Sequence, residues 1–126
     1  MTEAIVLFAH GARDPQWAGP VRRLAEMIAA REPAVRVRPA YLELMAPDLD
    51  GVIDELVADG VRRILVVPVF LAQGGHLKRD VPQIIERAAG RHPACRVTVA
   101  KAVGEDDRVL AAMGEYALAT LAATDD

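Results

Sequence analysis

The stretch "VFLAQGGHLKRDVP", residues 69–82, follows the apolar run "ILVVPVF" and carries His76 just beyond two glycines. A second histidine, His10, closes another apolar run in "LFAHGARDP", and an acid, Glu43, ends a third in "AYLELMAP". A neutral imidazole both ligates divalent metals and accepts a proton near neutral pH. Imidazole and carboxylate together suit divalent cobalt, nickel, iron or zinc. Gly11, Gly74 and Gly75 allow backbone to approach a large flat ligand and to adopt dihedrals that other residues avoid. A lone histidine at a strand end is more often a hydrogen-bonded surface group, Glu43 can be a solvated loop acid, and Gly74-Gly75 can be a plain connector. The functional reading depends on whether the fold brings the three side chains together.

The elements that must position them are legible. Four β-rich runs, Ala4–His10, Val35–Leu42, Arg62–Phe70 and Cys95–Ala100, alternate with four helical patterns. The first and third runs are nearly all apolar, as central parallel strands covered on both faces should be. The second and fourth alternate with polar residues and read as edges, and Pro39 supports this for the second. Pro68 is expected at the end of its strand, where the missing donor matters least. Helical periodicity predicts buried faces through Val21, Leu24, Ala25 and Ile28; Leu49, Val52, Ile53, Leu56 and Val57; Val81, Ile84, Ile85, Ala88 and Ala89; and Val109, Met113, Tyr116 and Ala117. Pro47 is expected in the first turn of the second helix with Asp48 and Asp50 at its positive end, and Gly60 and Gly90 at helix C-termini. Asp14 and Pro15 suit a helix entry.

The order βαβαβαβα with right-handed crossovers predicts a single doubly wound domain over residues 1–126, with a four-stranded parallel sheet of order 2-1-3-4 and helices on both faces. The switch point then lies between the first and third strands, which is where open α/β sheets bind ligands. His10 and His76 leave the sheet there, at the carboxyl edge, and Glu43 leaves the same edge from the second strand. His92, in "GRHPACR", lies at the opposite edge and is given no role. Lys78 and Arg79 read as a solvated face, Cys95 as a small core residue, and Trp17 and Met27 as packing residues.

Composition narrows the function classes. The 126-residue chain has a formal net charge of -3 and 4% aromatic residues, so it has neither the basic stripe nor the stacking platform of a nucleic-acid binder. One cysteine excludes an internal disulfide and a Cys-rich zinc site. The start "MTEAIVLFAH" does not read as a signal peptide, and no apolar run has the length of a membrane span. A cytoplasmic protein with no membrane partner is expected. Neither "GxxxxGK[ST]" nor "GxGxxG" follows the first strand, which counts against nucleotide chemistry, and a hydrolase is disfavoured because neither motif holds a Ser or Cys nucleophile.

At these motifs, and onward through "YLELMAPDLDGVIDEL" and "AVGEDDRVL", the chain resembles the short CbiX/SirB-type sirohydrochlorin chelatases of the class II chelatase superfamily. The resemblance implies a chelatase-like, flavodoxin-like three-layer sandwich. It implies insertion of a divalent metal, Co²⁺, Fe²⁺ or Ni²⁺, into sirohydrochlorin or a related tetrapyrrole, with the metal as substrate and no organic cofactor. His10 matches the family's proton acceptor and metal ligand, His76 its other ligand, and Leu71, Ala72, Gln73, Gly74 and Gly75 its substrate-contacting loop. Glu43 matches a site acid, and Arg13 is a candidate for the carboxylates of the macrocycle. The family commonly has Ser where this chain has Ala12, which leaves substrate preference open. Longer chelatases carry two such halves facing one cleft, so a single-half chain is expected to act as a homodimer. The alternative from another class is a non-catalytic carrier of metal or tetrapyrrole using the same pocket.

Overall fold

The computed structural model describes residues 2–72 and 74–124, and for His76 the backbone only. Gln73 therefore lies outside the described residues. The strands are β1 (Glu3–Ala9), β2 (Val35–Tyr41), β3 (Arg63–Pro68) and β4 (Arg96–Val99). The α-helices are α1 (Gly19–Arg31), α2 (Leu49–Ala58), α3 (Gly75–Arg91) and α4 (Asp107–Ala123), with 3-10 turns at Pro15–Ala18 and Val103–Glu105. All strand pairs are parallel and the sheet order is β2-β1-β3-β4, as the alternation of apolar runs predicts. Pro39 sits in the edge strand β2 and Pro68 ends β3.

Register divides the sheet into two faces. Ala4, Val6 and Phe8 of β1 align with Ile64, Val66 and Pro68 of β3, and these side chains are buried beneath α2 and α3. Val52, Ile53 and Leu56 of α2 and Val81 and Ala88 of α3 close this core from above. Among the described residues no polar or charged side chain is buried, so the core carries no desolvated polar group to satisfy. The other face, through Ile5, Leu7, Leu65 and Val67, is covered by α1 over β2 and part of β1.

Helix boundaries follow local chemistry, with some corrections to the expected positions. Asp48 caps α2 by accepting from the Gly51 N–H at 2.8 Å, so Pro47 stands before the cap and not in the first turn. The Pro47 carbonyl instead accepts from Tyr41 N–H, tying this loop to β2. Gly60, at φ +91°, ends α2 as expected. Gly90 does not end α3: the helix runs on to Arg91 and His92 terminates it at φ -130°. Asp14 caps the Pro15–Ala18 turn through Gln16 N–H at 2.9 Å, and α1 follows only at Gly19. The expected face of α4 is not buried; Met113 and Tyr116 are 46% and 74% exposed. Trp17 and Met27 are exposed as well, at 71% and 66%, so neither is a packing residue within the chain.

At the amino edge, His92 Nε2 lies 2.6 Å from Asp54 Oδ1, and Arg91 reaches the same carboxylate at 3.0 Å. The hydrogen bond from His92, then the Arg91 contacts, hold the Asp54 carboxyl below its ordinary value. This cluster fastens α3 to α2 and is remote from the carboxyl edge. Cys95 is buried, and burial pushes its thiol up, away from reactivity.

Ile53 is fully buried whereas Met27 is mostly exposed. Ile53→Ala is therefore expected to cost about 2–5 kcal/mol in urea denaturation. Met27→Ala should stay within about 0.5 kcal/mol of the parent. Equal losses at the two positions would contradict this division of the surface.

Candidate functional site

Because the strands are parallel, the loops after all of them leave one edge of the sheet. The ladder continues past the strands at that edge. Leu42 N–H donates to the Ala9 carbonyl at 2.9 Å, Glu43 N–H to the His10 carbonyl at 3.1 Å, and Val69 N–H to the Phe8 carbonyl at 2.8 Å. His10 is thus held between the loop after β2 and the loop after β3. Its side chain is exposed, and its ring rests on Phe70 with centroids 4.3 Å apart. Phe70 is itself buried and meets Phe8 edge-on at 5.9 Å. An aromatic chain therefore runs from the core to the imidazole and limits where the ring can sit.

Two glycines allow the loops to close on one another. Gly11 has φ +87°, and a Cβ there would overlap the Glu43 carbonyl and meet Tyr41 Cβ. Gly104 lies against the backbone of Leu71, where a Cβ would again overlap, and its N–H donates to the Phe70 carbonyl at 3.0 Å. Gly74 and Gly75 need no such freedom. Gly74 has φ -67°, and a Cβ at either position would meet nothing within 4 Å.

A pocket of about 560 Å³ opens beside His10, lined by Ala9 to Arg13, Trp17, Pro20, Val21, Tyr41 and Leu44. Its walls are largely apolar, with Arg13 as the cation among them. Leu44 holds φ +66°, a conformation that non-glycine residues rarely adopt, and is 59% exposed. With Trp17 and the 64%-exposed Leu71 it gives the carboxyl edge an apolar rim. Leu77, just past the glycines, packs in the core at 7% exposure, and Met45 is half-buried.

His10, Arg13, Glu43, Leu71, Ala72, Gly74 and Gly75 all stand at this edge, and His76 lies in the first turn of α3 beside them. Glu43 is exposed. Among the described residues no group of three His, Cys, Asp or Glu side chains is gathered to hold a metal. Lys78 and Arg79 are solvated as expected, with Arg79 Nε donating to the Gly75 carbonyl at 3.3 Å. Sequence reasoning missed Trp17, Tyr41, Phe70 and Gly104. Trp17 had a signal: it is the one tryptophan of the chain and stands in the polar turn "ARDPQWAGP" outside any apolar periodicity.

The CbiX family model matches residues 4–119. The chain belongs to the CbiX family. It is similar to a sirohydrochlorin cobaltochelatase of Methanococcus aeolicus, 40% identical over 83 residues, which are 66% of this chain and 58% of that one. It is also similar to a sirohydrochlorin ferrochelatase of Bacillus subtilis, 30% identical over 90% of this chain and 43% of the relative. The chain thus spans less than two-thirds of the length of these curated relatives. Among solved structures, a CbiX protein from Marinobacter aquaeolei superposes with a TM-score of 0.84 at 33% identity, covering 97% of this chain and 99% of that chain. The chelatase SirB from Bacillus subtilis subspecies spizizenii, in complex with cobalt, superposes with a TM-score of 0.73 at 32% identity over 85% of this chain and 46% of that one. The chain therefore shares its fold with these two solved structures.

At the last loop of this CbiX edge, Asp106 caps α4. Its carboxyl is held well below the ordinary value of 3.8, first by the Arg108 side chain, then by the Arg108 N–H, with a smaller contribution from Lys101. A lowered folded-state value means that the interaction stabilises the folded cap of α4 above the ordinary value and is lost as pH falls through the folded one. In a ¹³C-carboxyl titration Asp106 should remain ionised below pH 3.8, and Arg108→Ala should move its midpoint up towards 3.8. An ordinary midpoint in the parent protein would contradict the pairing.

Proposed function

We propose that residues 1–126 form one chelatase unit that inserts a divalent metal, cobalt or alternatively iron or nickel, into sirohydrochlorin or a related tetrapyrrole. The observation that carries this reading is His10, its ring fixed on Phe70 at the mouth of an apolar pocket of about 560 Å³, at the same sheet edge as the α3 turn bearing His76. The names of the relatives, cobaltochelatase and ferrochelatase acting on sirohydrochlorin, support it.

Metal insertion requires two pyrrole N–H protons to leave and a hydrated ion to shed water. The exposed His10 imidazole accepts one proton, and His76 holds the incoming ion. Glu43 neutralises the ion or receives the second proton. The flat apolar face of the macrocycle lies against Trp17 and Leu44, while Arg13 pairs with its peripheral carboxylates. The metal enters as substrate, and the reading calls for no organic cofactor. A single half-site has one open side, so a homodimer supplies the second wall of the cleft. The setting we assign is the cytoplasm; no helix among the described residues is long and apolar enough to cross a membrane.

Initial rates of absorbance change with sirohydrochlorin and excess Co²⁺ test this reading. His10→Ala should lower insertion by about 10²–10⁴-fold, the usual contribution of a positioned base, while retaining some metal binding. His76→Ala should weaken Co²⁺ binding and insertion together. His92→Ala, at the other edge, should change neither. Unchanged rates in both site variants would remove the assignment, and a parent protein that stops after one macrocycle per chain would be a carrier.

A further inference from the structure

The pocket beside His10 holds two polar side chains that the fold itself does not use. Tyr41 is the last residue of β2 and is only 4% exposed. By register it lies beside Ala9, and it lines the pocket with Trp17, Pro20 and Val21. Its backbone is fastened, since its N–H donates to the Pro47 carbonyl at 2.9 Å. Its phenol makes no hydrogen bond among the described residues, yet its oxygen is not sealed from solvent. The hydroxyl therefore opens into the pocket. A tyrosine this deeply buried ordinarily finds a partner for its hydroxyl. Arg13, on the same wall, is exposed and makes no salt bridge among the described residues. By contrast Arg36, Arg38, Arg63, Arg91 and Arg108 are each paired with a carboxylate. Ala12 brings no hydroxyl to the wall, and no other lining residue carries one, so the Tyr41 phenol is the one hydroxyl on this pocket.

We propose that Tyr41 and Arg13 together hold one carboxylate arm of the macrocycle, and that this subsite sets how the macrocycle is turned about His10. The inference rests on the chelatase reading and adds to it a specificity-determining residue, Tyr41. An apolar cleft with one cation and one neutral donor suits a carboxylate carried on a short hydrocarbon chain. The charge meets the guanidinium at the exposed wall and the phenol at the buried one, both as donors. The chain carrying it lies on Trp17 and Val21. A phosphate would bring a second charge, and Arg13 is the one Lys or Arg on this pocket. A tetrapyrrole seated on His10 and the first turn of α3 presents one ring edge to β2 and α1, and the arm of that edge enters here. The anchored Tyr41 backbone keeps the donor in place before the ligand arrives, which lowers the ordering cost of binding.

Trp17 is the one tryptophan of the chain and stands in this pocket, so quenching of its emission by metal-free sirohydrochlorin reads occupancy without turnover. We expect Tyr41→Phe to raise the Kd about tenfold, the order set by one hydrogen bond to a charged group. The KM for sirohydrochlorin should rise in proportion, while the KM for Co²⁺ stays at the parent value. Arg13→Gln, at an exposed position outside the core, should raise the Kd at least as much. Because both groups act on one carboxylate, the double variant should lose less than the product of the two single losses. An unchanged Kd in Tyr41→Phe, with an active parent, would overturn this assignment alone. Losses that multiply in the double variant would overturn it too, since the two groups would then act apart. A KM for Co²⁺ that rises together with that for sirohydrochlorin would mean a distorted site and would also overturn it. A parent that neither binds nor metallates sirohydrochlorin would instead remove the chelatase reading, and this assignment with it.

Discussion

The parallel pairing of β1 with β3 is the constraint on which the candidate site depends. It aligns Phe8 with Pro68 at the carboxyl end of the sheet and continues into the Val69 to Phe8 hydrogen bond. Without that register Phe70 would not lie under His10, and the start of α3 would not reach the same edge. The pairing is itself held by side chains that never touch a ligand: Ala4, Val6 and Phe8 on one strand, Ile64 and Val66 on the next, closed by α2 and α3. Burial of apolar surface thus fixes the backbone, and the backbone fixes the imidazole. His10 is the first residue past β1, where one hydrogen bond to the next loop is made and the side chain is free to point outward.

The loops at this edge are joined by close backbone approach more than by side chains. Gly11 lets the loop after β1 meet the loop after β2, and Gly104 lets the turn after β4 press on Leu71. The exposed residues on these loops therefore rest on a frame whose tightest points admit no side chain. The exposed apolar groups, Trp17, Leu44 and Leu71, then cluster around the frame instead of entering the core. The same separation holds between the two edges: the charged Asp54, Arg91 and His92 cluster serves helix packing at one, and the exposed histidine serves the pocket at the other.

Strand order and strand edges were legible because apolar runs and their interruptions follow burial directly: "IVLF" and "ILVV" are central, while Pro39 marks an edge. His10, Glu43 and the start of α3 were legible for the same reason, since topology alone brings strand ends to one edge. Other features were not. Gly104 matters through contact with a chain segment more than 30 residues away, which no local pattern reports. Gly74 and Gly75 look like conformational specialists, yet Gly74 has ordinary dihedrals and neither would crowd a side chain. The expected α4 face was read from periodicity, which says that a helix has an apolar surface but not which surface it meets. Its hydrophobicity on every side was the unused signal.

An anomalous difference map recorded at the cobalt edge from crystals grown with Co²⁺ would locate the ion on the proposed chelatase unit. A peak is expected at the carboxyl edge, within coordinating distance of His10 and of the first turn of α3 that bears His76. A peak instead at His92 and Asp54 on the amino edge, with none beside His10, would contradict it.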